Sequence, residues 1–172
     1  MLEALIFVVF PFCMVFAAVS DMLSMTIANR VPVLLLGVFA IVAPLTGMEW
    51  TAYGWHFAAG ALVLAVTFAM FAVGGMGGGD AKLLAATAVW LGFNNLLLEY
   101  LVTSALVGGV LTLAIMTYRR SPLSTFTGGN MFLRNFADGA GVPYGIALGV
   151  GGIITYPNSA LMVWALGRLS SS

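Results

Sequence analysis

The sequence predicts an all-α membrane protein: a single transmembrane domain over residues 1–172, folded as a bundle of six transmembrane helices with both termini on the non-cytoplasmic side. Composition is the first indication, because 62% of the residues are hydrophobic and only 7% are charged, against roughly 25% charged residues in a soluble domain. So few charged side chains could not cover a soluble globule, and lipid is the expected medium. The formal net charge of zero argues against a nucleic-acid partner.

Six apolar segments come close to the length of about 17–25 residues that crosses a bilayer as a helix. They cover residues 3–20, 31–47, 56–74, 82–98, 100–117 and 143–166. The fourth segment is the least regular, because Asn94 and Asn95 fall inside it, and only Glu99 separates it from the fifth. We expect a tight turn at that boundary.

Basic residues predict the orientation of these six segments. Five of the six fall at one face of the membrane: Arg30, Lys82, Arg119, Arg120 and Arg134. Arg168 falls at the other face. Because short cytoplasmic loops carry an excess of Lys and Arg, the first face is the cytoplasmic one. We therefore expect a multi-pass protein of the inner (cytoplasmic) membrane.

Two aspartates fall at this predicted cytoplasmic face, since Asp21 closes the first segment and Asp80 opens the fourth. Either residue alone is explained by capping of a helix. Two carboxylates that approach closely share one proton, however, so one can act as a general base on water while the other protonates a carbonyl. This aspartic-protease chemistry requires no metal and no cofactor. The general base is not assigned, because a coupled pair titrates as a unit.

Glycines precede the second aspartate in the stretch GGMGGGD, residues 74–80. A helix cap needs one suitable residue, whereas Gly77, Gly78 and Gly79 together would leave room for a substrate backbone beside Asp80. The alternative is a plain flexible hairpin between two membrane segments.

Three stretches resemble the type IV prepilin peptidases. Gly77-Gly78-Gly79-Asp80 is a GxGD motif, and GGGDAKLLAA resembles the second active-site region of that family. Ser20-Asp21, with Ile27-Ala28-Asn29-Arg30 after it, resembles the first region, although Ala28 stands where the family often has proline. Pro143-Tyr144-Gly145 is similar to the family's C-terminal Pro-aromatic-Gly segment.

The resemblance implies that Asp21 and Asp80 are the catalytic pair of an endopeptidase that removes the short basic leader of prepilins at the cytoplasmic face. The substrate's apolar helix would enter between the enzyme's helices, with the leader over the glycine loop. Asn29 and Lys82 correspond to recurrent residues of the two regions and would support the pair. For Lys82, extension of the side chain to the membrane surface is an equally good explanation.

The resemblance also implies a small form of the enzyme. Larger members carry paired cysteines that bind zinc and a second, methylating activity, whereas this sequence has one cysteine, Cys13. We therefore expect peptidase activity without methyltransferase activity, as in the Flp or tight-adherence pilus branch or the related archaeal preflagellin enzymes. From the residues alone, two alternatives stay open: a small ion- or proton-coupled transporter that uses the same aspartates, and a non-catalytic subunit in which both aspartates cap helices.

Three further features lead to expectations about packing. Gly141, Gly145, Gly149 and Gly152 predict that the last segment packs closely against a neighbouring helix. His56, the only histidine, is expected to be an interfacial residue on the outer side. The polar connection 118–142 either lies on the anionic inner leaflet or becomes ordered around a bound substrate.

Overall fold

The computed structural model describes residues 1–121 and 141–170, and within them every regular element is a helix. Arg134 and most of the connection 118–142 therefore lie outside the described residues. The α-helices of the described part are α1 (Leu2–Ser24), α2 (Arg30–Leu45), α3 (Trp50–Ala72), α4 (Gly78–Leu91), α5 (Asn95–Arg120), α6 (Tyr144–Thr155) and α7 (Ala160–Ser170). A 3₁₀ turn, Tyr156–Asn158, joins α6 to α7.

Contacts at the two ends of the bundle show that α1 and α6 run in opposite directions. Asp21, near the end of α1, contacts Gly145 at the start of α6. At the opposite end the Tyr156 hydroxyl, just after α6, donates a hydrogen bond to the carbonyl of Ile6 in α1 at 2.7 Å. We call the end that holds Asp21 and Asp80 the aspartate end.

Helix α4 forms the centre of the bundle. From Ala81 to Leu91 all of its residues except Lys82 are buried, and it packs against α2, α3 and α6. Small side chains allow this close approach in a membrane protein. Gly60 of α3, for example, faces Val89 and the Ala85 carbonyl, where a Cβ atom would clash. Asp80 therefore lies in the first turn of the most enclosed helix, at the aspartate end.

Aromatic rings fill the opposite end of the bundle, which we call the aromatic end. The buried Trp90 ring lies 5.3 Å from Phe10, 5.8 Å from Phe39 and 5.8 Å from Tyr156, measured between ring centroids. Its indole N–H donates to the Leu35 carbonyl at 2.9 Å. This cluster connects α1, α2, α4 and the 3₁₀ turn.

Three helices, α1, α3 and α5, are long and apolar enough to cross a membrane, and the bent pair of α6 and α7 forms a fourth span if it is counted as one. The predicted segment 143–166 is divided between these two helices, because the chain bends by 47° between α6 and α7. Pro157 lies in the 3₁₀ turn at the bend and lacks the N–H that would continue the helix.

The predicted boundary between the fourth and fifth segments is wrong. Helix α4 ends at Leu91, and α5 begins at Asn95 rather than at residue 100. Gly92 adopts a positive φ of 80°, a conformation that favours glycine. The Asn94 side chain then accepts a hydrogen bond from the Leu96 amide at 2.8 Å, so Asn94 caps α5 instead of lying within a span.

His56 is buried, and the expectation of an interfacial residue is wrong. Its Nδ1 donates to the Val89 carbonyl at 2.7 Å, and its ring lies against Phe39. The imidazole thus satisfies a carbonyl in the last turn of the central helix, a group that has no partner within that helix.

The predicted glycine packing of the last segment is confirmed for three of its four residues. A Cβ atom at Gly145, Gly149 or Gly152 would lie less than 3 Å from atoms of α1. Gly141, which precedes α6, has open space around it and takes no part. The close approach of α6 to α1 fixes the start of α6 beside Asp21.

Candidate active site

Asp21 lies in the last turn of α1, and its carboxylate is held by another helix. The residue is only 5% exposed, and its Oδ2 accepts a hydrogen bond from the Gly145 amide at 2.7 Å. Gly145 is in the first turn of α6, where backbone N–H groups lack partners within the helix and carry partial positive charge. The start of α6 therefore both positions the Asp21 carboxylate and favours its negative charge.

Asp80 lies in the first turn of α4 but is not its N-cap. The helix already begins at Gly78, with Gly77 as the N-cap, so the explanation of Asp80 as a simple N-cap is wrong. Its carboxylate reaches back to the Gly77 amide, as an acidic third residue of a helix commonly does. A Cβ atom at position 77 would lie 2.8 Å from Oδ2 of Asp80, so glycine there lets the carboxylate take this position.

The other two glycines of the motif face the protein itself. A Cβ atom at Gly79 would lie 3.2 Å from the Cβ of Ile27, and one at Gly78 would lie 3.3 Å from the ring of Phe71. The glycine run thus allows close packing of the start of α4 on the connection between α1 and α2. Room for a substrate backbone beside Asp80 stays a prediction.

Three contacts bring the sequence motifs together at the aspartate end. Gly79 packs on Ile27, Gly145 donates to Asp21, and the Lys82 ammonium donates to the Asn29 side-chain oxygen at 2.9 Å. These contacts place Asp21 and Asp80 at the same end of the bundle, within electrostatic range of each other.

The Pro143-Tyr144-Gly145 segment enters the site through its glycine. Pro143 is the buried N-cap residue of α6. Tyr144 is 42% exposed, and its ring turns toward α5, where it packs on Gly108 and its hydroxyl lies 3.4 Å from that of Thr112. Of the three residues, Gly145 alone contacts an aspartate among the hydrogen bonds of the described part.

Sequence reasoning missed a group of buried hydroxyls deeper in the bundle. Thr87, Tyr100 and Ser104 are at most 5% exposed, and the Thr87 and Ser104 hydroxyls lie near that of Tyr100, which is within electrostatic range of Asp80. Neither the Tyr100 hydroxyl nor the Ser104 hydroxyl has a hydrogen-bond partner within the described residues. Their spacing of four residues on α5 was a signal that one helix face carries both hydroxyls.

The arrangement offers two interacting carboxyl groups, one enclosed and one partly exposed, beside a cationic Lys82. Within residues 1–121 and 141–170, no three His, Cys, Asp or Glu side chains are grouped so that they could hold a metal ion. The two carboxyl groups can supply a general acid and a general base.

Comparison with known proteins assigns the family. The sequence profile of the type IV leader peptidase family matches residues 8–113, more than half of the chain, and both aspartates lie in the matched range. No curated protein and no solved structure shows significant similarity. The chain is thus a membrane peptidase by family, and it belongs to the type IV leader peptidase family.

Proposed function

We propose that this protein is an aspartic endopeptidase that removes the short basic leader peptide of prepilins, with Asp21 and Asp80 as the catalytic pair and without methyltransferase activity. Membership of the leader peptidase family supports the reaction class. The observation that carries the mechanism is the position of Asp21 and Asp80 at one end of the bundle, each beside the first turn of a helix and within electrostatic range of the other.

In this mechanism the two carboxyl groups meet at the substrate and hold one proton between them, because closely spaced carboxylates cannot both keep a negative charge. The ionised carboxylate removes a proton from a water molecule, which attacks the carbonyl carbon of the scissile peptide bond. The protonated carboxyl donates its proton to the carbonyl oxygen. When the tetrahedral intermediate collapses, a proton passes to the leaving nitrogen, and the peptide bond breaks to give an acid and an amine.

Burial divides the labour within the pair. Asp21 has Oδ2 engaged by the Gly145 amide and is enclosed, so it can stay in place while its second oxygen shares the proton. Asp80 is partly exposed at a glycine-rich helix start, which suits contact with water and with the peptide. Lys82 and Asn29 fasten this helix start to the connection that follows Asp21.

The proposal places the site at the cytoplasmic face of the inner membrane, in a single domain that crosses the bilayer six times with both termini outside. Arg30 and Lys82 lie at the aspartate end, and so do Arg119 and Arg120. Arg168 lies in α7, beyond the aromatic end. Helices α2 and α4, of 16 and 14 residues, would be the shorter crossings, enclosed by the longer ones.

The test is cleavage of a leader-bearing prepilin that is co-expressed with the protein and followed by its size on a gel. Asp21→Asn and Asp80→Asn are expected to lower the rate roughly 10²–10⁴-fold, the contribution of a general acid or base. Asparagine keeps an oxygen that can accept the Gly145 amide bond, so the folded state should persist. Glu99→Gln, at an exposed acid of the aromatic end, is the matched control and should cleave like the wild type.

Normal cleavage by either asparagine variant would refute the catalytic pair. The same experiment separates the peptidase from a transporter that uses the two aspartates to bind a cation, because a transporter would leave the precursor uncut with or without the substitutions.

A further inference from the structure

We propose that the groove between α3 and α5 receives the apolar helix of the precursor and guides the bond after the leader to the two aspartates. This inference rests on the proposed function and specifies where its substrate binds.

The groove is an opening in the helical wall that faces lipid. Helix α3 packs on α4, and α5 packs on α6, while α3 and α5 hardly touch each other. The space between them has a volume of about 480 Å³. Apolar side chains line it, among them Leu62, Val66 and Met70 of α3, Leu98 and Ala105 of α5, and Leu84 of α4.

The inner end of the groove leads to the aspartates. Two of its lining residues, Met76 and Tyr144, are each followed directly by a glycine that contacts an aspartate. Gly77 lies beside the Asp80 carboxylate, and Gly145 donates to Asp21. A helix that lies in the groove and unwinds at this end would therefore deliver its next residues between the two carboxyl groups.

A second groove, between α2 and α3, provides a contrast. Its volume is about 430 Å³, but its inner end is formed by Asn29 and Lys82. A basic leader would meet the positive charge of Lys82 there. The described lining of the α3–α5 groove holds no Lys or Arg, and its end lies beside the glycines that contact the two aspartates. Charge complementarity thus favours the α3–α5 groove for a substrate with a basic leader.

The α3–α5 groove suits a helix with one face buried and the other in lipid, a common mode of peptide recognition. Ala105 is an exposed small residue of α5 in its wall, and small residues allow helix backbones to approach closely in membranes. The matching position in the second groove is Ala61 of α3, which is also an exposed alanine.

These two alanines make a matched pair for a test by filling each groove. Ala105→Trp is expected to slow cleavage of a co-expressed prepilin by about tenfold or more, the effect of overfilling a packed contact, while Ala61→Trp cleaves like the wild type. Equal rates for the two variants, or a greater loss with Ala61→Trp, would overturn the assignment. If the wild-type chain cuts no prepilin at all, the proposed function fails instead.

Disulfide cross-linking gives a second measurement that does not depend on the folding of the tryptophan variant. In a Cys13→Ala, Asp80→Asn background, Ala105→Cys is expected to cross-link to single cysteines at one depth of the prepilin helix, a position and its neighbour one turn away, because a disulfide needs Cα atoms no more than about 7 Å apart. Ala61→Cys should give none. Cross-links from Ala61→Cys instead, or links only between two copies of the enzyme, would refute the proposal.

Discussion

The two ends of the bundle are built in different ways. At the aromatic end, large rings surround Trp90, and buried donors such as the Tyr156 hydroxyl are bonded to backbone carbonyls of other helices. At the aspartate end, glycines bring helix starts close together, and the polar groups are the carboxyl groups of the buried Asp21 and the partly exposed Asp80. The aromatic end therefore holds the helices together, while the aspartate end brings two carboxyl groups to the same part of the bundle.

This difference teaches where each kind of substitution should act. A small change at the aspartate end is expected to displace a carboxylate by up to about an ångström, and reaction rates depend steeply on such displacements. A change at the aromatic end removes packing or a hydrogen bond, and its cost appears in the free energy of unfolding. Cleavage rate and thermal stability should respond separately at the two ends.

Gly145→Ala is expected to show the largest difference between its effect on cleavage rate and its effect on stability. A Cβ atom at this position would lie 2.7 Å from the Cβ of Asp21 and 2.9 Å from its Oδ2, so the carboxylate must turn or α6 must shift. We expect the rate of leader removal to fall by about 100-fold, the scale of an ångström-size misplacement. The unfolding temperature in detergent should change little.

Gly141→Ala is the matched control for that substitution, because nothing lies within 4 Å of a Cβ atom at Gly141. It should retain the wild-type rate. A Gly145→Ala variant that cleaves as fast as Gly141→Ala would show that the contact between α6 and Asp21 has no part in catalysis.

A smaller effect is expected from the contact between Lys82 and Asn29, which joins the two aspartate-bearing segments. Lys82→Met and Asn29→Ala should each lower the rate by about tenfold, in line with one hydrogen bond to a charged group. Because both remove the same contact, the double variant should be no slower than either single one. Initial rates for the four proteins of this double-mutant cycle measure the coupling.

Arg30→Gln controls for the loss of a positive charge at the same end of the bundle, since Arg30 follows Asn29 in the sequence and is also exposed. It should stay near the wild-type rate. Strictly additive losses in the cycle would mean that Lys82 and Asn29 act independently, and the contact between them would then be incidental.

Much of the aspartate end could be predicted from local sequence. The alternation of the predicted segments put Asp21 and Asp80 at the same face, and the GxGD pattern marked the start of α4. The contact of Asp21 with Gly145, however, joins residues 124 positions apart. Periodicity and composition carry no information about such a partner, so the enclosure of Asp21 could not be foreseen.

The aromatic end was predicted less well, for physical reasons that differ by residue. Hydropathy extended the fourth segment through Asn94, because it averages over the turn formed by Gly92 and the N-cap of α5. An Asn directly before an apolar helix was the sequence signal for that helix start. Pro157 likewise marked the bend after α6. His56 gave no such signal, since its partner is a backbone carbonyl on another helix.

The smallest effect, and the one that isolates the aromatic end, is expected for Tyr156→Phe. The ring would keep its packing against Phe10 and Trp90, but the hydroxyl bond to the Ile6 carbonyl would be lost. One such bond contributes about 1 kcal/mol to stability, so the unfolding temperature in detergent should fall by a few degrees, about 2–4 °C for a chain of this size, at an unchanged cleavage rate. Tyr144→Phe, whose hydroxyl makes a long contact of 3.4 Å with that of Thr112 in the described part of the chain, should leave that temperature unaltered. Slower cleavage by Tyr156→Phe at an unchanged unfolding temperature would contradict this division between the two ends. The bond that holds α1 to the turn after α6 would then act on the distant carboxyl groups.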